Sequence, residues 1–306
     1  MEIAHGSGHP KRSCRLKLSI IGAGHVGQTI GRMAREAGYD ITDVVCRSRR
    51  SALSAVRFIG AGNAQASARA LLSPANIILI ATPDDKIKDA VELISGNASR
   101  VGSAVVLHTS GALTSDALAP LVALGYGVGS CHPLQTFESP ARAVASARAS
   151  YFCIEGGARA VRAARKLVGS MGARHFEIPT EMKSLYHAAA VMASGGVVAL
   201  VSISLETLAH CGLSRAESKR VLLPLIEGTI ANVRAVGPAR ALTGPVRRGD
   251  KGTVARNMKA LAAINSNWLD LYRLLAARSL SLAEEAGLDE KSLAELRRLL
   301  KAGGVS

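Results

Sequence analysis

A chain of 306 residues exceeds the usual size of one hydrophobic core, so two domains are expected, and a hydrophobic content of 48% is ample to fold them. Aromatic residues make up only 3%, which points to an aliphatic, alanine-rich core of α/β type with added helices and favours packed helices over a β-sandwich. The net charge of +15 comes from scattered arginines without an aromatic-interleaved basic stripe, arguing against a nucleic-acid partner, and the five dispersed cysteines form no C-x-x-C pair, arguing for a reducing, cytoplasmic compartment and against a disulfide frame or zinc site.

Met1 to Arg15 is polar and lacks the apolar segment of a secretory signal, which predicts a disordered leader over 1–15. Leu16, Leu18 and Ile20 then alternate with Lys17 and Ser19, and Ile21 extends the apolar run as a strand entering a buried sheet would. The stretch Ile20-Ile21-Gly22-Ala23-Gly24-His25-Val26-Gly27 follows the G-x-G-x-x-G spacing. Beyond it Val26, Ile30, Met33, Ala34 and Ala37 recur at helical spacing up to Gly38. Three glycines alone are a weak signal, but a strand before them and a helix after them make a dinucleotide turn. Gly22 permits the tight turn, Gly24 lets a pyrophosphate approach the backbone, and Gly27 lets helix and strand pack closely. Ala23, His25 and Val26 belong to the same turn, where the helix N-terminus offers free N–H groups to phosphate.

A second strand over Ile41–Cys46 ends in Arg47-Ser48-Arg49-Arg50. An acidic residue here would hold a free ribose 2′-hydroxyl; its absence, with Arg47, Ser48 and Arg49 in its place, suits a 2′-phosphate and favours NADP over NAD. An ordinary charged loop is the alternative. A helix over Ser51–Ile59 follows, and residues 60–70 support no definite strand. Ile77 to Ala81 is a buried strand leading into Thr82-Pro83-Asp84-Asp85 at the sheet's carboxyl end, which places Ala81, Thr82 and Pro83 at the cofactor. Asp84 and Asp85 read as caps of a helix over Lys86–Ile94.

Strands at 104–107 and 126–130 run into His108-Thr109-Ser110-Gly111 and His132-Pro133-Leu134-Gln135-Thr136-Phe137, delivering polar residues to one edge. Strands at 151–154 and 175–178, around a helix at 158–171, close the α/β domain, giving expected domains of 16–179 and 180–306. Helices are expected at 183–209, 215–235 with a disturbance at Pro224, 253–264, 268–286 and 290–300. Ala188 to Leu205 carries no charge and reaches the length of a membrane span, but its alanine, glycine and serine content predicts a buried helix and no membrane association. The loop 237–252 holds Arg247 and Arg248, either an anion clamp or a plain connector.

These segments together, with Leu242-Thr-Gly-Pro-Val-Arg-Arg-Gly-Asp250, resemble a family of Rossmann-like, provisionally named NADP oxidoreductases with a helical C-terminal domain, over nearly all of the chain after the leader. More distantly the chain is similar to prephenate dehydrogenases, whose pattern matches Ser110 and His132; that likeness implies a histidine bonding the substrate hydroxyl and a serine holding the histidine. It is also similar to β-hydroxyacid dehydrogenases, whose Lys-x-x-x-Asn matches Lys183-Ser-Leu-Tyr-His187 with histidine replacing asparagine. Lys183 and His187, four apart, share a helix face, where a partly desolvated lysine could act as acid or base beside the nicotinamide. Tyr186 reads as packing. The implied catalytic set is Lys183, His187, His132 and Ser110, with Lys183 and His132 competing for the acid–base role. Gln135, Arg247 and Arg248 would contact a small, anionic substrate, and the dispersed histidines predict no metal. The expected activity is hydride transfer between NADP and a small carbonyl, hydroxy or imino acid; a non-catalytic NADP-binding regulator is the alternative. The apolar runs at 188–205 and 269–282 predict a homodimer through the C-terminal helices.

Overall fold

The computed structural model describes residues 15–67, 70–101 and 104–302, so the expected leader, apart from Arg15, lies outside the described residues. The chain divides into two compact units, up to Gly195 and from Gly196 onward.

The first unit is built in chain order from β1 (Lys17–Ile21), α1 (His25–Glu36), β2 (Asp40–Cys46), α2 (Arg49–Ile59), β3 (Asn63–Ala66), β4 (Ile77–Ile80), α3 (Ile87–Gly96), α4 (Ala98–Val101) and β5 (Val105–His108). A 3-10 segment over Ser115–Leu124 leads to β6 (Gly127–Leu134), α5 (Pro140–Arg148), β7 (Tyr151–Gly156), α6 (Ala158–Ser170), β8 (Arg174–Glu177) and α7 (Lys183–Val191). The eight strands form one sheet in the order β3-β2-β1-β4-β5-β6-β7-β8. All neighbours are parallel except β6 and β7. This is a doubly wound α/β sheet whose order reverses between β1 and β4, where such folds open their ligand crevice.

Helices cover both faces. Ile30 and Met33 of α1, Ile59 of α2, Ala147 of α5 and Leu167 of α6 form one core with Leu18, Ile20 and Leu79 of the sheet. On the other face Ile87 and Ile94 of α3 and Leu118 and Leu121 of the 3-10 segment pack on Ile21, Ile78 and Val106. The central strands β1, β4 and β5 are nearly continuous apolar runs because both faces are covered there.

Three local expectations are corrected. The helix expected from Ser51 begins two residues earlier, because Ser48 Oγ accepts the backbone N–H of Ser51 and caps it. Asp84 and Asp85 form a 3-10 turn before α3, with no side-chain cap bond. The strand expected to end at Ser130 continues through His132, Pro133 and Leu134. It pairs with β5 only as far as Ser130 and with β7 as far as Leu134, so past Ser130 one flank has no strand partner. Pro133 can stand there because its missing N–H costs no ladder bond on an unpaired flank.

The second unit is helical: α8 (Val197–His210), α9 (Arg215–Val236), α10 (Pro238–Ala241), α11 (Lys251–Ala262), α12 (Ser266–Glu285) and α13 (Glu290–Lys301). A π-helical turn over Met192–Gly196 joins α7 to α8, and Pro224 is accommodated inside α9. Ser214, with Glu217, makes a capping box at the start of α9, while Asp250, Asn265 and Asp289 cap the last three helices. Val254, Met258, Leu280, Leu293 and Leu296 form its core.

The run 188–205 is not buried as expected. Within the helical stretch Thr180–His210 its apolar window has no buried residue, and Met192 and Val198 are each at least 70% exposed.

Candidate functional site

The three glycines of the turn after β1 differ in the space around them. Gly22 holds φ +90, where a Cβ would also lie 2.6 Å from the Thr82 backbone nitrogen. A Cβ on Gly27 would lie 2.6 Å from the Gly22 carbonyl oxygen, so the bare Cα sets the approach of α1 to the strand. A Cβ on Gly24 would meet nothing within 4 Å, leaving room above the turn. Beside it Thr82 Oγ1 is buried without a hydrogen-bond partner, a polar atom waiting for a ligand group. His25 reaches the other rim, its Nδ1 3.0 Å from the Phe137 carbonyl oxygen. A diphosphate fits this cradle. Arg47, Ser48 and Arg49 stand exposed after β2, at the N-terminus of α2.

A second cluster is made by two alternations. Residues two apart on a strand share a face. Ser130 and His132 on β6 lie opposite Glu155 and Cys153 on β7, so these four polar side chains share one face of the ribbon. The helix α7 supplies Lys183, Tyr186 and His187 at the i, i+3, i+4 spacing of one helix face. Strand meets helix in two bonds: Lys183 Nζ donates to Ser130 Oγ at 2.6 Å, and His132 Nδ1 lies 2.6 Å from the Tyr186 hydroxyl. Glu155 fastens the frame, accepting from Ser115 N, Ser115 Oγ and Thr180 Oγ1.

Lys183 is fully buried. Desolvation pushes its amine below the ordinary lysine range, against the opposing influence of Cys153, Glu155, Cys131 and Asp84. Its place as the first residue of α7 adds the positive end of the helix dipole. The amine's partner is a neutral hydroxyl, and Ser130 Oγ in turn donates to the Ser110 carbonyl oxygen at 3.3 Å. Burial lowers His132 to about 4, with Lys183, His187 and His108 adding repulsion.

His108 anchors the loop below. It is buried, its Nε2 lies 3.0 Å from the Thr114 carbonyl oxygen, and its Nδ1 accepts the Ser110 N–H at 3.2 Å. Burial holds it near 4 as well. Gly111, at the loop's tip, lies against both upper imidazoles; a Cβ there would fall 2.4 Å from His187 Nδ1 and 2.8 Å from His132 Nε2.

The structure thus brings Ser110, His132, Lys183 and His187 together, with partners other than those expected. Ser110 does not hold His132; its Oγ accepts from Ala112 N and Leu113 N and shapes its own loop. Tyr186 holds the histidine and is more than packing. Lys183 is oriented by Ser130, whereas His187 Nδ1 is buried without a partner. Gln135 accepts from Thr136 N in the loop after β6. Arg247 and Arg248 belong to the second unit, where Arg247 donates to the Ala286 carbonyl at the C-terminus of α12. Ser130, Tyr186, Gly111 and Cys153 were missed in the sequence. The available signal was polar residues at alternate positions in two apolar strands. Among the described residues no group of three or more His, Cys, Asp or Glu is placed to hold a metal.

Residues 2–133 match a Rossmann-like domain, and residues 150–279 match a domain of unknown function, DUF2520. The chain thus carries a match to a Rossmann-like domain followed by a match to DUF2520. Among solved structures it is similar to protein TM1727 from Thermotoga maritima, with 28% identity and a TM-score of 0.72 over 88% of this chain and 99% of the other. A provisionally named NADP oxidoreductase from Bacteroides fragilis shares 24% identity, with a TM-score of 0.67 over 87% of this chain and 98% of its own. The pyrroline carboxylate reductase of Plasmodium falciparum, solved with NADP bound, shares the fold at 16% identity and a TM-score of 0.57, covering 92% and 98% of the two chains. No curated protein matches the sequence.

Proposed function

We propose that this protein is an NADP-dependent oxidoreductase, moving a hydride between the nicotinamide and a small carbonyl, hydroxy or imino acid. The observation that carries the reading is the single unit that holds both a diphosphate cradle after β1 and, at the carboxyl side of the same sheet, a desolvated lysine beside an unprotonated histidine. The fold is shared with reductases of C=N bonds, among them an imine reductase from a Pseudomonas species at 17% identity and a TM-score of 0.57.

Bound NADP would supply the hydride chemistry itself. Gly22, Gly24 and Gly27, with the N-terminus of α1, would hold its diphosphate, Thr82 Oγ1 would gain a partner, and Arg47, Ser48 and Arg49 would take the 2′-phosphate. Lys183 holds a proton on Nζ, aimed by Ser130, that it can give to or take from a substrate oxygen or nitrogen; its lowered pKa brings that exchange toward neutral pH. His132 and His187 flank the same loop and orient the substrate. The anionic substrate, the cytoplasmic setting and a homodimer through the exposed faces of α8 and α9 belong to the same proposal.

The test is direct. Purified protein is titrated with NADPH and NADH by fluorescence, then assayed with 2-oxo acids and cyclic imines. Tighter NADPH binding with turnover of one substrate class is expected. NADPH binding with no turnover of any member would favour the regulator instead.

A further inference from the structure

The Tyr186 hydroxyl and His132 Nδ1 are 2.6 Å apart. Bonds from N–H to oxygen centre near about 2.9–3.0 Å, whereas O–H donors make shorter ones, so the hydroxyl is the donor and Nδ1 the acceptor.

We infer that Tyr186 fixes His132 as the neutral tautomer protonated on Nε2, a positioning role that makes His132 a hydrogen-bond donor to a carbonyl or carboxylate oxygen of the substrate. Among the described residues His132 Nε2 makes no hydrogen bond, and it lies against Gly111, where a Cβ would fall 2.8 Å from it. His187 Nδ1, on the other side of that glycine, is the second nitrogen without a partner. The groups facing His132 are Lys183 and His187 from α7, His108 from β5, and Cys153 from β7. None is a carboxylate that would stabilise an imidazolium. His132 therefore supplies a fixed donor, and the exchangeable proton falls to Lys183. The tautomer stands on geometry alone; only its use toward a substrate oxygen rests on the oxidoreductase reading.

The experiment is ¹⁵N NMR of histidine-labelled full-length protein, with the His132 signals identified by their loss in His132→Asn. In the wild type the His132 Nδ1 resonance is expected in the unprotonated range and Nε2 in the protonated range, unchanged between about pH 5 and 8. In Tyr186→Phe the two signals should move toward each other as the tautomers mix. A wild-type signal protonated on Nδ1, or a tautomer unchanged in Tyr186→Phe, would overturn the inference. Should Tyr186→Phe not fold, the wild type still decides: the Tyr186 hydroxyl proton is expected as a slowly exchanging downfield resonance with a cross-peak to His132, and its absence counts against the assignment. Because no cofactor or substrate enters these measurements, failure here is separable from failure of the proposed activity. With an active substrate in hand, Tyr186→Phe should raise KM more than it lowers kcat.

Discussion

The sheet of the first unit is covered on both faces, whereas α8 and α9 of the second leave their apolar side chains uncovered. In the first, helices on both faces reduce Leu18, Ile20, Leu79 and Leu107 to no exposure at all. In the second, the buried cluster draws on α11, α12, α13 and the loop before them, while Ser218 is the one buried residue of α8 and α9 among the described residues. Val198, Leu225 and Leu274 are exposed by 66% or more. The contrast is one of coverage: the sheet is packed by its own helices on both faces, and α8 and α9 bury no apolar side chain among the described residues. A homodimer through these faces would have to bury about 800 Å² per partner to be specific.

Breaking that surface should have the largest effect. The wild type is expected to scatter light as a dimer at micromolar concentration, and Val198→Asp with Leu225→Asp should weaken the dimer by roughly 10³-fold or more, since each would bury an unpaired charge. A wild-type monomer at that concentration would show that the open faces are tolerated alone.

Next in size is the prediction that the chemistry belongs to the sheet unit. Lys183→Met should lower kcat by about 10²–10⁴-fold with NADPH binding intact, the loss expected of a general acid. If His132→Asn lowers kcat and Lys183→Met does not, the acid is the histidine; if neither does, the regulator reading gains.

Acid should single out the same unit. His108 and His132 are held near 4 in the folded chain, against an ordinary value of 6.5. Below 6.5 the unfolded chain takes up protons that the folded one refuses, so the stability present at neutral pH is lost as pH falls from 6.5 toward 4. The loss is on the order of 2 kcal/mol per histidine by pH 5. Denaturant melts at pH 7 and 5, compared with His108→Gln, would measure it; an equal drop in the variant would remove His108 from the account.

The smallest effect expected is on cofactor choice. Arg47→Ala with Arg49→Ala should weaken NADPH by about tenfold or more and leave NADH nearly unchanged, because a charge-assisted hydrogen bond contributes about 1.5–3 kcal/mol. Equal losses for both cofactors would refute a 2′-phosphate site.

By itself the sequence determined what is local and periodic. The β1–turn–α1 unit was legible because apolar alternation, glycine spacing and helical recurrence all lie within about twenty residues of one another. The helices of the second unit were legible through their 3.6-residue period, and the candidate site was half legible: Ser110, His132, Lys183 and His187 could be named. Their partners could not. Ser130 meets Lys183 across 53 residues and Tyr186 meets His132 across 54, and no local rule links such positions. Which flank of β6 stays unpaired past Ser130, and hence which of its residues face α7, follows from the antiparallel entry of β7. The tertiary structure also decided that the apolar run 188–205 lies open. Composition records how apolar a helix is, but the neighbours that would cover it are a property of the assembled fold.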